Sequence, residues 1–378
     1  MWDYKYLSRI DWRMVFLIFI LMGISLLVVS ATTGDASDFY HEQFLTPTVK
    51  QQAVWFFLGW LVYFFFAGFN YKKFRDWAFL MYVFMIVLLL GLFFVPSIQN
   101  VHRWYRLPGV GILIQPSEYA KLIVITSLSY FLEKHHRHLQ TTSSIVQASL
   151  LVFIPFVLIL KQPDLGTSLI LYPITLVMFY FAGVKRKVLK SLCLAGMAAL
   201  VFVSLMFTGV LSHEGMRPFV TKFMKEYQYE RLNPHTYHQQ ASQTAISLGG
   251  WTGTGWRQSD FTGHQWLPAA HTDSVFAAYA EEFGVVGVTV LLAAFFSLLY
   301  LGLQVSSLAN DLFGKLLAAG ISVYLAIHVI VNVGMMCGFL PITGVPLILI
   351  TYGGSSILCT MTALGILQSV YSRRFMFS

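Results

Sequence analysis

The sequence has few charged residues: Asp, Glu, Lys and Arg together make up only 11% of its 378 positions. Soluble domains carry about 25% of these residues, so the composition excludes an ordinary soluble protein. Apolar residues reach 57%, and the mean hydropathy is +0.66. The chain is therefore predicted to be a polytopic integral membrane protein.

Cysteine is also scarce, and several common motifs are missing. Cys193, Cys337 and Cys359 all fall inside predicted membrane spans, with a spacing that indicates neither a disulfide pair nor a metal site. The sequence contains no Walker motif, no heptads and no clear repeat. No serine lies in a nucleophile elbow, and His271 is only two residues from Asp273, which excludes a serine-hydrolase triad.

Ten apolar segments have about the length that a helix needs to cross a bilayer, which is roughly 20 residues. We expect these spans at 12–31, 51–69, 77–95, 115–132, 147–160, 165–183, 188–210, 274–303, 315–340 and 343–370. The predicted fold class is all-α, with residues 1–378 forming one membrane domain. One long loop, at about 211–273, separates spans seven and eight.

The basic residues cluster at one side of the predicted spans. They lie at 5–13, 72–75, 134–137, 185–190, 315 and 373–374. By the positive-inside rule, both termini are predicted to be cytoplasmic and the long loop extracytoplasmic. The net charge of +8 therefore reflects membrane topology, and no basic stripe or tail indicates a nucleic-acid partner.

The segment 267–287 concentrates polar and acidic side chains at the start of the eighth span. Ionised groups are costly in hydrocarbon and usually line a cavity or an interior contact, so this segment is the first candidate for chemistry. Three of its side chains lie at the foot of the span and two lie about two turns into it. They are His271, Thr272, Asp273, Glu281 and Glu282.

Further candidates lie at the outward ends of other spans. Arg103, Trp104 and Arg106 lie next to the membrane surface, which is typical of an interfacial aromatic belt or of a cationic lip for an anionic lipid headgroup. Glu118 and Lys121 are three residues apart on the fourth span, so they share one helix face and can pair. An intramembrane ion pair indicates a site, with a structural tie between helices as the alternative.

Two loops and one turn complete the set of candidates. Lys161 and Asp164 form a charged pair at the turn after the fifth span, where they can face an external cavity. The histidines at 135, 136 and 138 are typical of a solvated cytoplasmic loop, with a metal site as the weaker interpretation. The glycines at 249–255 would let the backbone approach a ligand closely.

Seven charged candidates are predicted to lie at the outer side or at helix ends that open there: Arg103, Arg106, Glu118, Lys121, Lys161, Asp164 and Asp273. A carboxylate beside a cationic, aromatic cleft suits a reaction in which a hydroxyl is deprotonated and an anionic leaving group is stabilised. A lipid diphosphate leaving group would call for Arg, Lys or a divalent cation such as Mg²⁺ or Mn²⁺. Three classes stay open: a lipid-substrate transferase, a transporter with a central ion pair, and a scaffold for a membrane complex.

Seven motifs, in order along nearly the whole chain, resemble those of the SEDS family of bacterial cell-wall proteins, especially its elongation members. They are RW at 103–104, QPSEYAK at 115–121, KQPDLGTS at 161–168, GTGW at 253–256, LPAAHTD at 267–273, AEEFG at 280–284 and PITGVPLILITYGGSS at 341–356. His102, Ser274 and Thr351 depart from the usual family pattern but leave the charged groups intact.

The resemblance implies a peptidoglycan glycosyltransferase that polymerises lipid II at the outer face of the bacterial inner membrane during cell elongation. The family's essential aspartate maps onto Asp273, which would accept the proton of the acceptor 4-hydroxyl as undecaprenyl diphosphate leaves. The family's functional positions also map onto Trp104, Glu118 and Lys121. The implied partners are a class B penicillin-binding protein, which supplies the transpeptidase, and other elongation-complex membrane proteins.

A lipid II flippase and a non-catalytic scaffold are the alternatives within this resemblance. A flippase needs a polar path across the whole bilayer, whereas the predicted intramembrane charges cluster toward the outer half. The transferase is therefore the preferred interpretation. Whether a divalent cation is bound, and whether Asp273 acts as a base or as a metal ligand, stays open at the level of sequence.

Overall fold

The structure is a computed structural model that describes residues 2–33, 44–96, 103–106, 113–207, 210–211, 213–221, 226–230, 232–233 and 235–375. His102 lies outside the described residues. The described chain is almost entirely helical. Its α-helices are α1 (Trp12–Thr32), α2 (Pro47–Gly68), α3 (Lys72–Gly91), α4 (Pro116–Lys134), α5 (Thr142–Lys161), α6 (Leu165–Ala182), α7 (Arg186–Phe207), α8 (His213–Val220), α9 (Glu226–Glu230), α10 (Tyr237–Gly249), α11 (Asp260–Gly263), α12 (Val275–Leu308), α13 (Leu312–Met336) and α14 (Gly354–Ser372).

Short elements join these helices. Three 3-10 helices span Tyr4–Arg9, Leu92–Phe94 and His136–His138. Strands β1 (Tyr105–Arg106) and β2 (Leu113–Ile114) pair antiparallel, with Tyr105 opposite Ile114. Within the described residues this hairpin is the only sheet.

The all-α membrane architecture predicted from composition is confirmed. Among the described residues, eight helices are long and apolar enough to cross a membrane: α1, α2, α3, α5, α6, α7, α12 and α13. Helices α4 and α14 each have 19 residues, a comparable length, but carry more polar side chains. Those side chains, such as Lys121 and Gln368, are buried inside the bundle. Each of the ten expected spans overlaps one of the ten long helices, and eight of these helices are candidate membrane spans.

Both described ends of the chain lie at the same side of the bundle. The backbone N–H of Asp3 donates to Gly68 O at 3.2 Å, and that of Asp11 donates to the Gln368 side chain at 2.9 Å. Arg373 donates to the carbonyls of Ala67 and Gly68, which satisfies the last turn of α2. An even number of spans places both ends on one side, and the cytoplasmic location of that side stays a prediction from the basic loops.

The predicted start of the tenth span at residue 343 is wrong, because α14 begins only at Gly354. Residues 341–353, which we call the re-entrant segment, run back beside α13 without forming a helix. Two features prevent a helix: Pro341 and Pro346 have no N–H to donate, and Gly344 has a φ of 76°. Non-helical backbone at membrane depth requires protein partners, and side chains of α1, α2 and α13 supply them. The donors are Ser25, Gln52, His328 and Asn332.

The eighth span was expected to be a continuous helix, but α12 is broken at Gly284, where φ is 59° and ψ is −165°. Residues 250–255 fill this break. Val285 N donates to Gly250 O at 3.0 Å, and Gly255 N donates to Glu282 O at 3.0 Å. A Cβ at Gly253 would lie 2.1 Å from Glu282 O. The glycines therefore let residues 250–255 pack closely against the backbone of α12.

The described part of the long loop contains four helices, α8 to α11. Met206, Val220, Tyr229 and Leu232 form a small apolar cluster beneath its first half. In that half, Arg217 forms ion pairs with Glu226 and Glu230. Helix α10 packs against α12, so the second half of the loop is part of the main helical body.

Candidate active site

Asp273 lies in a tight turn immediately before α12. Thr272 N and Ser274 N both donate to Ala269 O, at 3.0 and 3.1 Å, and Ala269 has a φ of 52°. The re-entrant segment holds the same turn from the other side. Tyr352 N donates to His271 O at 3.0 Å, and the hydroxyl of Thr351 donates to Thr272 O at 3.2 Å. The turn that carries Asp273 is therefore fixed on two sides.

The carboxylate of Asp273 lies over the backbone of the re-entrant segment. A Cβ built on Gly344 would be 3.3 Å from Asp273 Oδ2. Asn332 on α13 donates through Nδ2 to Asp273 O at 3.0 Å. Asp273 is only partly buried. A half-buried carboxylate on a fixed backbone is suited to accept a proton from a reacting hydroxyl.

Two histidines beside this turn favour the neutral form. Burial lowers the pKa of His238, and the negative charge of Asp273 only partly opposes that effect. Burial also lowers the pKa of His271. His238 Nε2 lies 2.7 Å from Ser274 Oγ, next to Asp273 in the chain. In the neutral form, neither imidazole brings a positive charge to the side of Asp273.

His238 was not among the candidates from the sequence. It lies on α10, 35 positions before Asp273 in the chain, within a polar loop where a single histidine has no diagnostic pattern. His271 and Thr272, which were candidates, contribute their backbone carbonyls to the contacts with the re-entrant segment. The His271 ring packs edge-on against Tyr352, with ring centroids 6.0 Å apart.

Glu118 and Lys121 form the expected ion pair, with Nζ and Oε1 2.8 Å apart. Lys121 is completely buried and Glu118 is 4% exposed. Lys121 Nζ also lies 2.9 Å from His328 Nε2, and it sits 5.2 Å from the centre of the Tyr324 ring. The pair is thus enclosed between α4 and α13 and has almost no contact with solvent.

Arg103 is held by the turn between α5 and α6. Its Nε donates to Gln162 O at 3.1 Å, and its Nη2 donates to Pro163 O. Trp104 is half-buried, whereas Arg106 is exposed on β1. Of the proposed cationic lip, Arg106 is therefore the side chain that is open to an approaching headgroup.

Lys161 and Asp164 are not the pair that the sequence indicated. Lys161 is exposed, whereas Asp164 is 6% exposed and caps the first turn of α6 through Thr167 N at 3.2 Å. Asp164 also accepts hydrogen bonds from Gln115 and Ser117, at 2.9 and 3.0 Å. Its carboxylate therefore joins the start of α6 to the start of α4 and does not balance Lys161.

Glu281 and Glu282 precede the break in α12 and face the long loop. Each is 1% exposed. The Glu281 carboxylate accepts from Phe261 N and Thr262 N at 3.0 and 3.1 Å, which caps α11, and Glu282 accepts from Ser259 Oγ at 3.4 Å. Glu281 is held by these contacts, whereas Glu282 Oε2 is buried without a hydrogen-bond partner among the described residues. Both side chains contact the loop beside the site.

Across the described ranges, no group of three or more His, Cys, Asp or Glu side chains is placed to hold a metal ion. The Ser274 hydroxyl, the His238 imidazole and the Asn332 amide lie around the turn that carries Asp273. We therefore assign no chemical step to a metal.

Comparison with known proteins gives a consistent family. The family profile described as "Cell cycle protein", which covers FtsW, RodA and SpoVE, matches residues 11–374. The chain is 33% identical over 321 residues to "Peptidoglycan glycosyltransferase MrdB" of Escherichia coli K12, covering 81% of each protein. It is 32% identical over 371 residues to "Stage V sporulation protein E" of Bacillus subtilis, covering 96% of this chain and 98% of that protein.

Two solved structures are similar over the whole chain. One comes from work described as "Structural coordination of polymerization and crosslinking by a peptidoglycan synthase complex"; its TM-score is 0.75 at 27% identity, covering 97% of this chain and 98% of that one. The rod shape determining protein RodA of Thermus thermophilus has a TM-score of 0.69 at 24% identity with the same coverage, which supports the fold. The SEDS resemblance is thereby confirmed, and the chain belongs to the FtsW/RodA/SpoVE family.

Proposed function

We propose that this chain, a peptidoglycan glycosyltransferase of the RodA type, polymerises lipid II at the outer face of the inner membrane with Asp273 as the general base. The observation that carries the proposal is the placement of the Asp273 carboxylate over Gly344, on a turn held by the re-entrant segment. A fixed base can meet a reacting hydroxyl without reorganising, and such positioning lowers the barrier of a bimolecular step.

In the proposed reaction, the 4-hydroxyl oxygen of the acceptor sugar attacks the anomeric carbon of the donor. The bond between that carbon and the diphosphate oxygen breaks, and undecaprenyl diphosphate leaves with the electron pair. Asp273 accepts the hydroxyl proton as the new glycosidic bond forms. Because burial lowers the pKa of His238 and of His271, neither imidazole adds a positive charge beside the carboxylate at neutral pH.

The growing charge of the diphosphate needs cationic groups at the outer side. Arg106 and Lys161 are exposed there, and Arg103 is half-buried beside them, so we assign the headgroup contacts to these side chains together with Trp104. Lys121 is enclosed by Glu118 and His328. Its proposed role is therefore to support the site through its neighbours.

We also propose that a class B penicillin-binding protein and other elongation-complex membrane proteins assemble with this chain. The support is the structural likeness to a chain from a peptidoglycan synthase complex whose described work is coordination of polymerization and crosslinking. The polymerase would extend the glycan strand, and the partner would crosslink it.

The test uses the purified full chain with its partner in detergent, where no membrane separates two compartments and translocation is impossible. Fluorescent lipid II is supplied, and the products are resolved by gel. Glycan chains of many disaccharides are expected. An inactive sample beside a working control polymerase, combined with lipid II translocation in vesicles, would replace the transferase by a flippase.

A further inference from the structure

Two polar side chains on α13 are completely buried although they lie in an apolar membrane helix. His328 and Asn332 are both 0% exposed. They are four residues apart, so they share one face of the helix. Polar groups at this depth are expensive and mark function unless hydrogen bonds explain them. Both face the re-entrant segment.

The amide of Asn332 joins the turn that carries Asp273 to the re-entrant segment. Its Nδ2 donates to Asp273 O at 3.0 Å and to Val345 O at 2.8 Å. Carbonyl oxygens only accept hydrogen bonds, so the amide nitrogen must be the atom between them. One side chain thus fixes the separation between the backbone of Asp273 and the backbone next to Gly344.

This orientation leaves the other atom of the amide without a protein donor. Within the described residues, no hydrogen-bond donor reaches Asn332 Oδ1, although that atom is buried. Unsatisfied buried acceptors are rare in folded proteins and call for an explanation. The two hydrogen bonds donated by Nδ2 fix the orientation of the Asn332 amide. We take this as a sign that the main role of Asn332 is to hold Asp273 against the re-entrant segment.

His328 makes the corresponding connection one turn deeper. Its Nε2 lies 2.9 Å from Lys121 Nζ, and its Nδ1 lies 3.2 Å from Pro346 O. A lysine ammonium only donates, so Nε2 accepts from Lys121 and the proton of the neutral ring resides on Nδ1. Nδ1 then donates to Pro346 O. The ion pair of α4 is connected in this way to the re-entrant segment.

We propose that Asn332 and His328 are positioning residues for the transferase reaction, which rests on the proposed function of Asp273. Asn332 fixes the distance between the Asp273 carboxylate and the backbone of Gly344. His328 couples the same segment to Lys121, so the buried ion pair acts on catalysis through the backbone of the re-entrant segment. A base displaced by as little as about 1 Å costs up to about 100-fold in rate.

The test measures kcat and KM for lipid II polymerisation by the full chain with its partner. Asn332→Leu keeps the side-chain size but removes both donated bonds. We expect kcat to fall about 10- to 100-fold while KM for lipid II stays within about threefold, since no substrate contact is removed. Ser322→Ala is the matched control, because Ser322 is also buried on α13 but bonds only Ala318 O of its own helix.

Conservative variants separate positioning from packing. His328→Gln keeps an acceptor for Lys121 and a donor for Pro346, so it should recover most of the kcat that His328→Leu loses. Thermal unfolding with the partner bound gives the folded fraction, to which each kcat is normalised. If Asn332→Leu does not fold, comparison of His328→Gln with His328→Leu still tests the proposal. A role in packing alone predicts equal kcat values for these two variants.

The proposal would be overturned by wild-type kcat in folded Asn332→Leu, or by losses confined to KM. Asp273→Asn, measured in parallel, separates failure of the positioning role from failure of the proposed function. An inactive Asp273→Asn beside fully active Asn332 and His328 variants would reject the positioning residues alone. A fully active Asp273→Asn would reject the proposed function itself.

Discussion

The carboxylate of Asp273 and the backbone of Gly344 face each other so closely that a Cβ at position 344 would lie 3.3 Å from Asp273 Oδ2. These two residues are 71 positions apart in the sequence and belong to different segments, a turn before α12 and the re-entrant segment after α13. Their approach depends on a glycine with a φ of 76°, a conformation that other residues rarely adopt. The candidate site is therefore made where two non-helical segments meet.

Gly344→Ala should reduce polymerisation by about 10-fold or more. The added methyl group crowds Oδ2, and the left-handed backbone costs an alanine about 1–2 kcal/mol. Gly353→Ala is the matched control in the same segment, because nothing lies within 4 Å of its Cβ position. Lipid II polymerisation rates of the two variants give the comparison, and equal rates would contradict the contact.

Gly253→Ala should destabilise the protein. A Cβ at this position would lie 2.1 Å from Glu282 O, and the residue has a φ of 81°. Since both effects act on the segment that fills the break in α12, we expect a loss of more than about 2 kcal/mol. Thermal unfolding of the purified protein measures the loss. Gly23→Ala, with open space around its Cβ position, should unfold at or above the wild-type temperature.

Removing either member of the buried ion pair should cost more than removing both charges. Lys121→Met leaves the Glu118 carboxylate buried without its cation, which costs about 3–5 kcal/mol. Adding Glu118→Gln to that variant removes the isolated charge and should recover part of the loss. A double-mutant cycle by thermal unfolding checks the coupling. Strictly additive losses would show that the two side chains do not interact energetically.

The stability of the protein should fall in mild acid because of His238 and His271. Burial lowers both pKa values below the ordinary 6.5, so below that pH the unfolded chain binds more protons than the folded chain. Stability therefore rises with pH through the window between the lowered pKa values and 6.5, and it is lost as pH falls through that window.

The double variant His238→Gln/His271→Gln removes these two groups and should show a weaker dependence on pH. Unfolding temperatures measured between pH 5 and about 7.5 test this expectation. His264→Gln, an exposed histidine on the same loop, is the control and should keep the wild-type slope. An unchanged slope in the double variant would assign the acid sensitivity to other groups.

Much of the helical frame was predictable because long apolar runs leave a membrane chain few alternatives to a helix. The re-entrant segment was missed for a related reason: its buried residues Leu347–Ile350 are as apolar as a spanning helix. Pro341, Gly344 and Pro346 were the signals that helix formation stops there. The break at Gly284 carries no such signal, since a single glycine is common in membrane helices.

The candidate site was only partly accessible to sequence reasoning. Asp273 and the pairing of Glu118 with Lys121 follow from local motifs and helix spacing. His238, His328 and Asn332 contribute through contacts with residues distant in the chain, and such contacts leave no local pattern. The contacts of Glu281 and Glu282 with the long loop were also not predictable, because the loop could not be placed from the sequence.

The rate of lipid II polymerisation by Asp273→Asn, measured against Asp76→Asn in detergent with the partner present, tests the central claim most directly. Both changes remove one carboxylate charge with little change in size, and Asp76 is exposed at the start of α3, on the side predicted to be cytoplasmic. We predict loss of glycan chains in folded, partner-bound Asp273→Asn and a wild-type rate in Asp76→Asn. Wild-type polymerisation by Asp273→Asn would contradict its role as the base.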